Sequence, residues 1–592
     1  MTVDALLTLA VLVGSVYLFV SEKLSVDVVA MLVLASLLVL GLVTPAEALS
    51  GFSSEATITV AAMFVLSAGL YHTGALASIG RLLARVHRPW LFVLLLMVLV
   101  GPISAFVNNT AAVAVFLPLV LAATAANRQS PSQVLIPLSY AAQMGGVCTL
   151  IGTSTNLLVN SLAKDLGHPG FGLFDFTPLG LICMGVGFVY LLLMRRWLLP
   201  HHPPAPLAEA YELGKYLTEL RVMSGSPLIG KSVADAQLGE KYAVYVLELL
   251  RGVEKHWSPR AEQLRENDVL LVRGNWEKLS QLKKDAGLEI VPEFDLNAPE
   301  FGDREGQRLL EVMLPPGSPL VGKSLMQAQF QRQYNATALA LHRRGEVVRE
   351  KLREIELSVG DALLLMCPGS EIETLRGSSH FVVLNERGDR QYPRSKALLA
   401  VAIMAAAIAL AGFGVLPIVA SSILGGIALV ATRCIGNDQA YQAVDWRVIV
   451  LLAGVIPLGI AMQKSGLAQG IADGAVYLVG GFGPLAVLGA IYLITALLTS
   501  VMSNNAAAVL LTPIAWATAV SLDVSPTPYL VAVLFAASTA FATPIGYQTN
   551  TMVYNAGNYR FADFFRIGLP LNIIFVVLAV WLIPEFFPLF PE

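Results

Sequence analysis

The sequence predicts a polytopic α-helical membrane protein in which two helical blocks flank a soluble α+β insert. The 592-residue chain is 55% hydrophobic and only 14% charged, and its mean hydropathy is +0.66. Of its 81 Asp, Glu, Lys and Arg residues, 54 lie in the segment from His201 to Lys396. This uneven charge excludes a soluble enzyme, a disulfide-rich secreted scaffold and a disordered chain.

The net charge and the cysteine spacing indicate which binding partners and metal or disulfide sites are not expected. The formal net charge is −3 and no polybasic tract is present, so nucleic acid is not an expected partner. Cysteines stand at 148, 183, 367 and 434 without CxxC or Cys/His spacing. We therefore interpret them as small apolar residues with no metal or disulfide role.

The apolar segments predict five transmembrane helices and one hairpin in each block. A bilayer core of about 30 Å requires roughly 20 helical residues. Single spans are predicted near 3–20, 26–44, 56–76, 133–163, 175–198, 397–413, 417–433, 446–463, 528–557 and 568–588. The two remaining apolar stretches are longer, and we interpret them as re-entrant hairpins at about 90–125 and about 484–520.

The distribution of basic residues predicts the orientation. With a cytoplasmic insert, the inner side of the membrane holds 13 basic residues near span ends, namely Lys23, Arg81, Arg85, Arg88, Arg128, Arg195, Arg196, Arg394, Lys396, Arg433, Arg447, Arg560 and Arg566. Only Lys164 and Lys464 fall outside, as the positive-inside rule requires. Five spans per block place both termini outside and invert one block relative to the other. The expected location is the cell membrane.

Two polar motifs recur in the same order in both blocks. Asn108–Thr110 matches Ser503–Asn505 at an offset of 395, and Thr149–Asn156 matches Thr543–Asn550 at an offset of 394. A single Asn pair in an apolar stretch could simply join neighbouring helices. Two related pairs, each followed by a glycine-centred motif, favour inverted repeats with interrupted helices around a midplane site. Helix starts at a hairpin tip attract anions, and free carbonyl and amide oxygens attract cations.

At these residues the chain resembles the divalent anion/sodium symporter family, the solute carrier 13-like permeases of the ion transporter superfamily. That family has a Ser-Asn-Thr motif at each hairpin tip and a Gly-Thr-Pro-Pro-Asn-like break after each hairpin. The resemblance implies substrate contacts from Asn108, Asn109, Thr110, Thr153, Ser503, Asn504, Asn505 and Tyr547. It also implies two sodium sites, formed by Ser104, Asn109, Gly152 and Asn156 and by Thr499, Asn504, Gly546 and Asn550.

Departures from the family pattern favour a compact substrate. Asn108 and Asn505 replace hydroxyl residues, and Ser154–Thr155 and Gln548–Thr549 replace Pro-Pro pairs. Tyr547 is expected to narrow the pocket, which fits a small divalent anion better than a C4 dicarboxylate. No charged residue lies at the predicted midplane motifs, so neutral dipoles and bound Na⁺ are expected to hold the anion.

The insert carries a repeat of its own. Ser226–Ser232 returns as Ser318–Ser324 at an offset of 92. The short apolar runs and charged turns resemble tandem TrkA-C (RCK C-terminal) domains, at 207–295 and 300–390, between membrane domains at 1–200 and 395–592. The resemblance implies either a dimerisation and folding module or a sensor for a regulatory nucleotide. No GxGxxG follows a strand, so NAD binding is not predicted.

Together these patterns predict a sodium-coupled symporter that imports a small divalent anion, with sulfate as the leading substrate. The resemblance further implies an elevator mechanism and a homodimer. A di- or tricarboxylate symporter is the runner-up and an arsenite exporter is third. From another class, a ligand-gated channel controlled by the TrkA-C pair is an alternative, although no filter-like TVGYG run is present. An enzyme is not predicted, because no nucleophile–base pair or metal-ligand cluster lies at membrane depth.

Overall fold

The computed structural model describes most of the chain outside the insert borders. The described residues are 2–21, 24–75, 82–83, 85–127, 129–201, 217–242, 244–251, 254–257, 259–273, 276–290, 307–315, 318–343, 346–348, 352, 354–378, 380–384, 394–544 and 546–590. The predicted domain borders at 207, 295, 300 and 390 lie outside them, as do three of the basic residues predicted on the inner side, Lys23, Arg81 and Arg128.

The regular secondary structure described in the first block consists of helices alone. Its helices are α1 (Val3–Ser21), α2 (Val26–Val39), α3 (Pro45–Leu49), α4 (Glu55–His72), α5 (Pro89–Ser104), α6 (Asn109–Ala126), α7 (Leu135–Gly146), α8 (Ser154–Asp165) and α9 (Thr177–Leu198). Helices α5 and α6 occupy the stretch predicted to form the first hairpin, with a four-residue turn between them. The predicted span at 133–163 is divided into α7 and α8 by a non-helical segment.

The insert contains two five-stranded sheets of the same topology. The first has β1 (Leu217–Val222), α10 (Leu238–Tyr242), β2 (Tyr245–Arg251), β3 (Glu254–Trp257), β4 (Val269–Arg273), α11 (Trp276–Ala286) and β5 (Leu288–Ile290). The second has β6 (Gln307–Met313), α12 (Phe330–Tyr334), β7 (Thr337–Arg343), β8 (Glu346–Val348), β9 (Ala362–Pro368), α13 (Ile372–Gly377) and β10 (Val382–Val383). Their strand orders, β3-β2-β4-β1-β5 and β8-β7-β9-β6-β10, correspond strand for strand.

An ion pair between a half-buried arginine and a buried aspartate also recurs in the two modules. Arg251 donates to both carboxylate oxygens of Asp268, at 2.9 and 2.8 Å, and Arg343 does the same to Asp361, at 2.8 and 2.6 Å. Each aspartate follows a tight turn and is almost fully buried. The sequence repeat at offset 92 therefore corresponds to a repeated fold with a repeated internal ion pair.

The second block is also helical, with ten α-helices in its described residues. Its helices are α14 (Arg394–Gly412), α15 (Ile418–Ala431), α16 (Asn437–Ala443), α17 (Trp446–Lys464), α18 (Leu467–Val479), α19 (Pro484–Thr499), α20 (Asn504–Ser521), α21 (Pro526–Ser538), α22 (Gln548–Ala556) and α23 (Phe561–Phe586). Helices α19 and α20 again form a helical pair with a short turn, and α21 and α22 are again two halves separated by a non-helical segment.

The helices of the two blocks pack across each other in a reciprocal way. Helix α2 packs on α17 while α15 packs on α4, and α7 packs on α22 while α21 packs on α8. The halves of the broken helices lie at the centre, where every residue of α7 is buried. Hence the polar motifs at the helix breaks lie inside protein, where an irregular backbone can be tolerated in a membrane.

The peripheral helices carry the expected lipid-facing surface. In α23, Leu569, Ile573, Val577 and Trp581 recur every four residues and all are exposed, the last by 69%. An apolar stripe of this size is typical of membrane contact. Six helical segments are long and apolar enough to cross a bilayer in the described part of the chain, and six shorter apolar helices accompany them.

Two compact units can be distinguished by their internal contacts. One comprises Met1–Pro203, Leu310–Leu365 and Ile372–Glu592, and the other Pro204–Leu309 with Met366–Glu371. In the first unit, the apolar residues Met313, Ala362, Val382 and Leu384 of the second module share one hydrophobic core with the membrane helices. The second module is therefore packed with the membrane helices as part of that unit.

Candidate functional site

Each hairpin tip ends in a residue that caps the following helix. Asn108 accepts a hydrogen bond at Oδ1 from the N–H of Thr110 (2.9 Å), at the start of α6. Ser503 accepts one at Oγ from the N–H of Ala506 (3.3 Å), at the start of α20. Asn and Ser are preferred at this position because their side chains satisfy N–H groups that lack a helical partner. The two predicted tip motifs thus open two 18-residue helices.

Both helix breaks are braced by an asparagine in the same way. Asn156 donates from Nδ2 to the carbonyl oxygens of Gly146 (3.3 Å) and Thr149 (2.8 Å). Asn550, 394 residues later, donates to those of Ala540 (2.8 Å) and Thr543 (2.9 Å). Carbonyls at a helix end have no partner within the helix, and burial would make them costly. These amides therefore stabilise the broken conformation.

A threonine ties each break to the hairpin turn of its own block. The hydroxyl of Thr149 donates to the carbonyl of Ala105, and the hydroxyl of Thr543 donates to that of Ser500 (2.9 Å). These two bonds correspond at offsets of 394 and 395. Hairpin turn and helix break are thus held together within each block.

Gly152 and Gly546 lie where these segments approach most closely. A Cβ atom at Gly152 would lie 2.9 Å from the carbonyl oxygen of Ala105 and would also collide with that of Gly146. A Cβ at Gly546 would collide with the carbonyl oxygen of Thr499. The lack of a side chain therefore allows each break to contact the turn of the hairpin.

The tip of the first hairpin pairs with the break of the second block. Asn109 donates from Nδ2 to the phenol oxygen of Tyr547 at 2.6 Å, and Thr110 donates from Oγ1 to Oε1 of Gln548 at 2.9 Å. Asn109 is buried, whereas Gln548 is exposed. This half of the site, which joins the starts of α6 and α22, is accessible to solvent at Gln548.

The tip of the second hairpin pairs with the break of the first block. Asn504 donates from Nδ2 to Oγ1 of Thr155 at 2.7 Å, and Thr155 donates in turn to Oδ1 of Asn505 at 2.9 Å. Ser154 also donates to Oδ1 of Asn505, at 3.2 Å. This half of the site joins the starts of α20 and α8.

One contact connects the two halves. The hydroxyls of Tyr547 and Thr153, the residues that precede α22 and α8, lie 3.4 Å apart. The N-terminal ends of α6, α8, α20 and α22 therefore meet in one region. Each such end carries free N–H groups and a partial positive charge, and all the side chains named there are uncharged. This arrangement favours an anion without a lysine or arginine.

The residues predicted to form the first sodium site carry buried oxygen atoms. Ser104 donates from Oγ to Oδ1 of Asn109 at 2.7 Å, and both side chains are buried. Gly152 lies beside the hairpin turn at Ala105, as described above. Oδ1 of Asn156, which is fully buried, accepts no hydrogen bond among the described residues. A buried amide oxygen without a donor is suited to a cation.

The predicted second sodium site differs in its hydrogen bonds. Oδ1 of Asn550 accepts from Oγ of Ser139 (2.7 Å) and from Nε2 of Gln143 (2.8 Å). The Thr499 hydroxyl donates to the carbonyl of Ala537 at 3.0 Å, and Thr499 adjoins Gly546. The oxygen of Asn550 is thus already engaged, in contrast to that of Asn156.

Five polar residues of this region were absent from the sequence-based set. Ser154, Thr155 and Gln548 lie in the break motifs, immediately after residues that were selected, and their position in place of the family's prolines was the available signal. Ser139 and Gln143 lie four residues apart on the apolar helix α7, so they share one helix face. That spacing could have identified them as a polar pair aimed at a neighbouring helix.

The described residues hold no group of three His, Cys, Asp or Glu side chains that could bind a metal.

Residues 16–524 match the citrate transporter family. The chain belongs to the citrate transporter family. It is therefore a multi-pass membrane transporter and not an enzyme.

Relatives of this transporter span nearly its whole length. An uncharacterized transporter of Synechocystis sp. is 41% identical over 96% of this chain and 95% of its own. An uncharacterized transporter of Escherichia coli is 32% identical over 98% of both chains. A probable sodium/sulfate cotransporter of Chlamydomonas reinhardtii is 24% identical over 92% of this chain and 84% of its own.

Proposed function

We propose that this transporter is a sodium-coupled symporter that imports a small divalent anion, with sulfate as the leading substrate. The observation that carries the proposal is the meeting of four helix N-termini, those of α6, α8, α20 and α22, around uncharged side chains. Their N–H groups and dipoles provide positive potential in a region where no fixed charge would repel Na⁺. Anion binding is then expected to depend on the cations bound beside it.

The sodium sites proposed here use the side chains predicted from the sequence. Ser104, Asn109 and the open oxygen of Asn156 support the first site. At the second site, Thr499 and Asn504 remain candidate ligands, whereas Asn550 would have to exchange its bonds with Ser139 and Gln143. We therefore expect the first site to bind Na⁺ more readily in the conformation described.

The proposed anion ligands are the N–H groups of the four helix starts and the side chains beside them. These side chains are Asn108, Asn109, Thr110, Thr153, Ser503, Asn504, Asn505 and Tyr547. The phenol of Tyr547 accepts a hydrogen bond from Asn109, so its own proton remains available to Thr153 or to the anion. A pocket limited by this ring favours a compact anion.

Sulfate is favoured by the buried ring of Tyr547 beside the tip residues and by the relative named as a probable sodium/sulfate cotransporter. A carboxylate is the second candidate, and the description of the family as citrate transporters favours it. Sulfate offers four oxygens within one small tetrahedron, whereas citrate would need space beyond the tip residues. Competition between these anions for uptake distinguishes the two.

The proposal includes the arrangement in the membrane. The two blocks are inverted repeats, the two helical pairs are re-entrant hairpins, the insert is cytoplasmic and both termini are outside. Transport is of the elevator type within a homodimer, and the two insert modules are TrkA-C domains. The reciprocal packing of the blocks supports the inverted repeats, and the repeated sheet topology supports a tandem pair of domains.

The test is uptake of labelled sulfate into proteoliposomes. We expect uptake that requires an inward Na⁺ gradient and that excess thiosulfate reduces more strongly than succinate or citrate. Undiminished uptake after replacement of Na⁺ by choline would overturn sodium coupling, and stronger competition by citrate would overturn the sulfate assignment. Asn109→Ala and Asn504→Ala should each abolish uptake while the protein still assembles.

A further inference from the structure

The two modules of the insert share a fold, but the same turn contains different residues in each. In the first module Asn267 occupies this turn with a φ of 64°, and in the second Gly360 occupies it with a φ of 81°. Both residues precede the buried aspartate of the repeated ion pair. Asn tolerates this left-handed conformation, so the backbone alone does not require glycine in the second module.

A neighbouring helix explains the glycine. A Cβ atom at Gly360 would lie 2.9 Å from the carbonyl oxygen of Thr551, in α22. The carbonyl of Gly360 also accepts a hydrogen bond from Nδ2 of Asn555, near the other end of the same helix. Asn267, in contrast, is exposed. The turn at Gly360 is thus fitted against α22.

Two further contacts attach the second module to membrane helices. Strand β10 packs on α6, and its residue Val382 lies in the hydrophobic core of those helices. Arg447, in the first turn of α17, donates to the carbonyl of Val321 at 3.3 Å. Val321 lies in the repeated motif, whereas its counterpart Ile229 in the first module is 40% exposed. The second module is therefore attached at three places.

Two of the helices that the second module contacts, α6 and α22, belong to the candidate site. Helices α6 and α22 are the pair whose N-terminal ends form the solvent-accessible half of the site, through the bonds of Asn109 to Tyr547 and of Thr110 to Gln548. Helix α22 has only nine residues, so a displacement at Asn555 is carried to Gln548 within about two turns. A contact at its far end can therefore set the position of its start.

We propose that the second insert module is a positioning element of the transport site, which holds α22 and α6 in register through the Gly360 turn and β10. The effect on transport rests on the proposed function, whereas the effect on helix order does not. Release of the turn should loosen the start of α22 and weaken the apparent affinity for Na⁺.

The experiment uses the full-length protein with a matched pair of variants. Gly360→Ala and Asn267→Ala place alanine at equivalent positive-φ positions, but only the first directs a methyl group at Thr551. Asn555→Ala removes the hydrogen bond from α22 to the carbonyl of Gly360 and leaves the sequence of the turn unchanged. It therefore tests the proposal if Gly360→Ala does not assemble. Amide hydrogen exchange of residues 548–556 and the Na⁺ dependence of sulfate uptake are measured for each.

We expect Gly360→Ala and Asn555→Ala to accelerate exchange in α22 and to raise the half-saturating Na⁺ concentration about five-fold or more, the lower range of a typical coupling between sites. Asn267→Ala should match the wild type in both. Unchanged uptake kinetics in the two variants, or equal effects from Asn267→Ala, would overturn the proposal. If the wild type takes up none of the anions, the proposed function fails, and the exchange data alone decide whether the turn holds α22.

Discussion

The hydroxyl of Thr155 offers a direct test of the second half-site. It accepts a hydrogen bond from Nδ2 of Asn504 at 2.7 Å and donates one to Oδ1 of Asn505 at 2.9 Å. This bond fixes the amide nitrogen of Asn504, and among the described residues its oxygen accepts no hydrogen bond, so it can bind a cation. Thr155→Val keeps the shape of the side chain and removes both bonds, together with a longer one that the Thr153 hydroxyl donates at 3.5 Å.

The size of the effect follows from the groups that lose their partner. Nδ2 of Asn504 would have no described acceptor, while Oδ1 of Asn505 would retain the longer bond from Ser154 at 3.2 Å. A buried polar group without a partner costs about 1–3 kcal/mol. Because Asn504 is only half-buried, the lower end applies, and a cost of about 1 kcal/mol in the sodium-bound state raises the half-saturating Na⁺ concentration about five-fold.

The assay is the initial rate of sulfate uptake into proteoliposomes as a function of Na⁺ concentration. Thr512→Val is the matched control, because Thr512 is also fully buried in α20 and its hydroxyl donates only to the carbonyl of Ala508 in its own helix (2.6 Å). Melting temperatures of both variants show whether they fold. A Na⁺ dependence of Thr155→Val equal to that of Thr512→Val would refute the reasoning.

Three further predictions concern other parts of the molecule. Gly152→Ala should abolish uptake, because its methyl group would lie 2.9 Å from the Ala105 carbonyl oxygen, while Gly185→Ala, with no atom within 4 Å, should retain wild-type uptake. Asn550→Ala should lower the melting temperature more than Asn156→Ala, because of the two only Asn550 also accepts two side-chain hydrogen bonds. Asn156→Ala should show the greater loss of stabilisation by added Na⁺, because its amide oxygen accepts no hydrogen bond among the described residues. Burial lowers the pKa of His380 in the second module. The unfolded chain therefore binds a proton more readily, and stability that is present above about pH 6.5 should fall as the pH drops. His380→Gln should reduce this pH dependence in thermal unfolding scans, and an unchanged dependence would contradict the prediction.

Much of the helical architecture could be anticipated from the sequence, because apolar length and polar interruptions act locally. The turn between α5 and α6 and the break before α8 lie where Asn108–Thr110 and Thr149–Asn156 interrupt apolar segments. The predicted insert repeat likewise corresponds to two sheets of one topology. Whether the helical pairs re-enter the membrane stays a prediction.

The pairing within the site could not be anticipated in this way. Motif spacing indicates that Asn109 and Gly152 belong to one block, but it does not show that Asn109 bonds to Tyr547 of the other block. Similarly, Asn156 and Asn550 occupy equivalent positions, and only the neighbouring Ser139 and Gln143 distinguish their oxygens. Such differences depend on tertiary packing, which the repeat itself does not encode.

The exchange of partners between the two blocks has a genetic consequence. Each half-site combines a hairpin tip from one block with a helix break from the other. A substitution that removes the hydroxyl of Thr110 therefore removes a hydrogen bond to Gln548, more than 400 positions away along the chain. Suppressor mutations should therefore arise in the opposite half of the gene. Sequence changes at the site residues of one block would be constrained by their partners in the other block, so the two blocks should co-evolve.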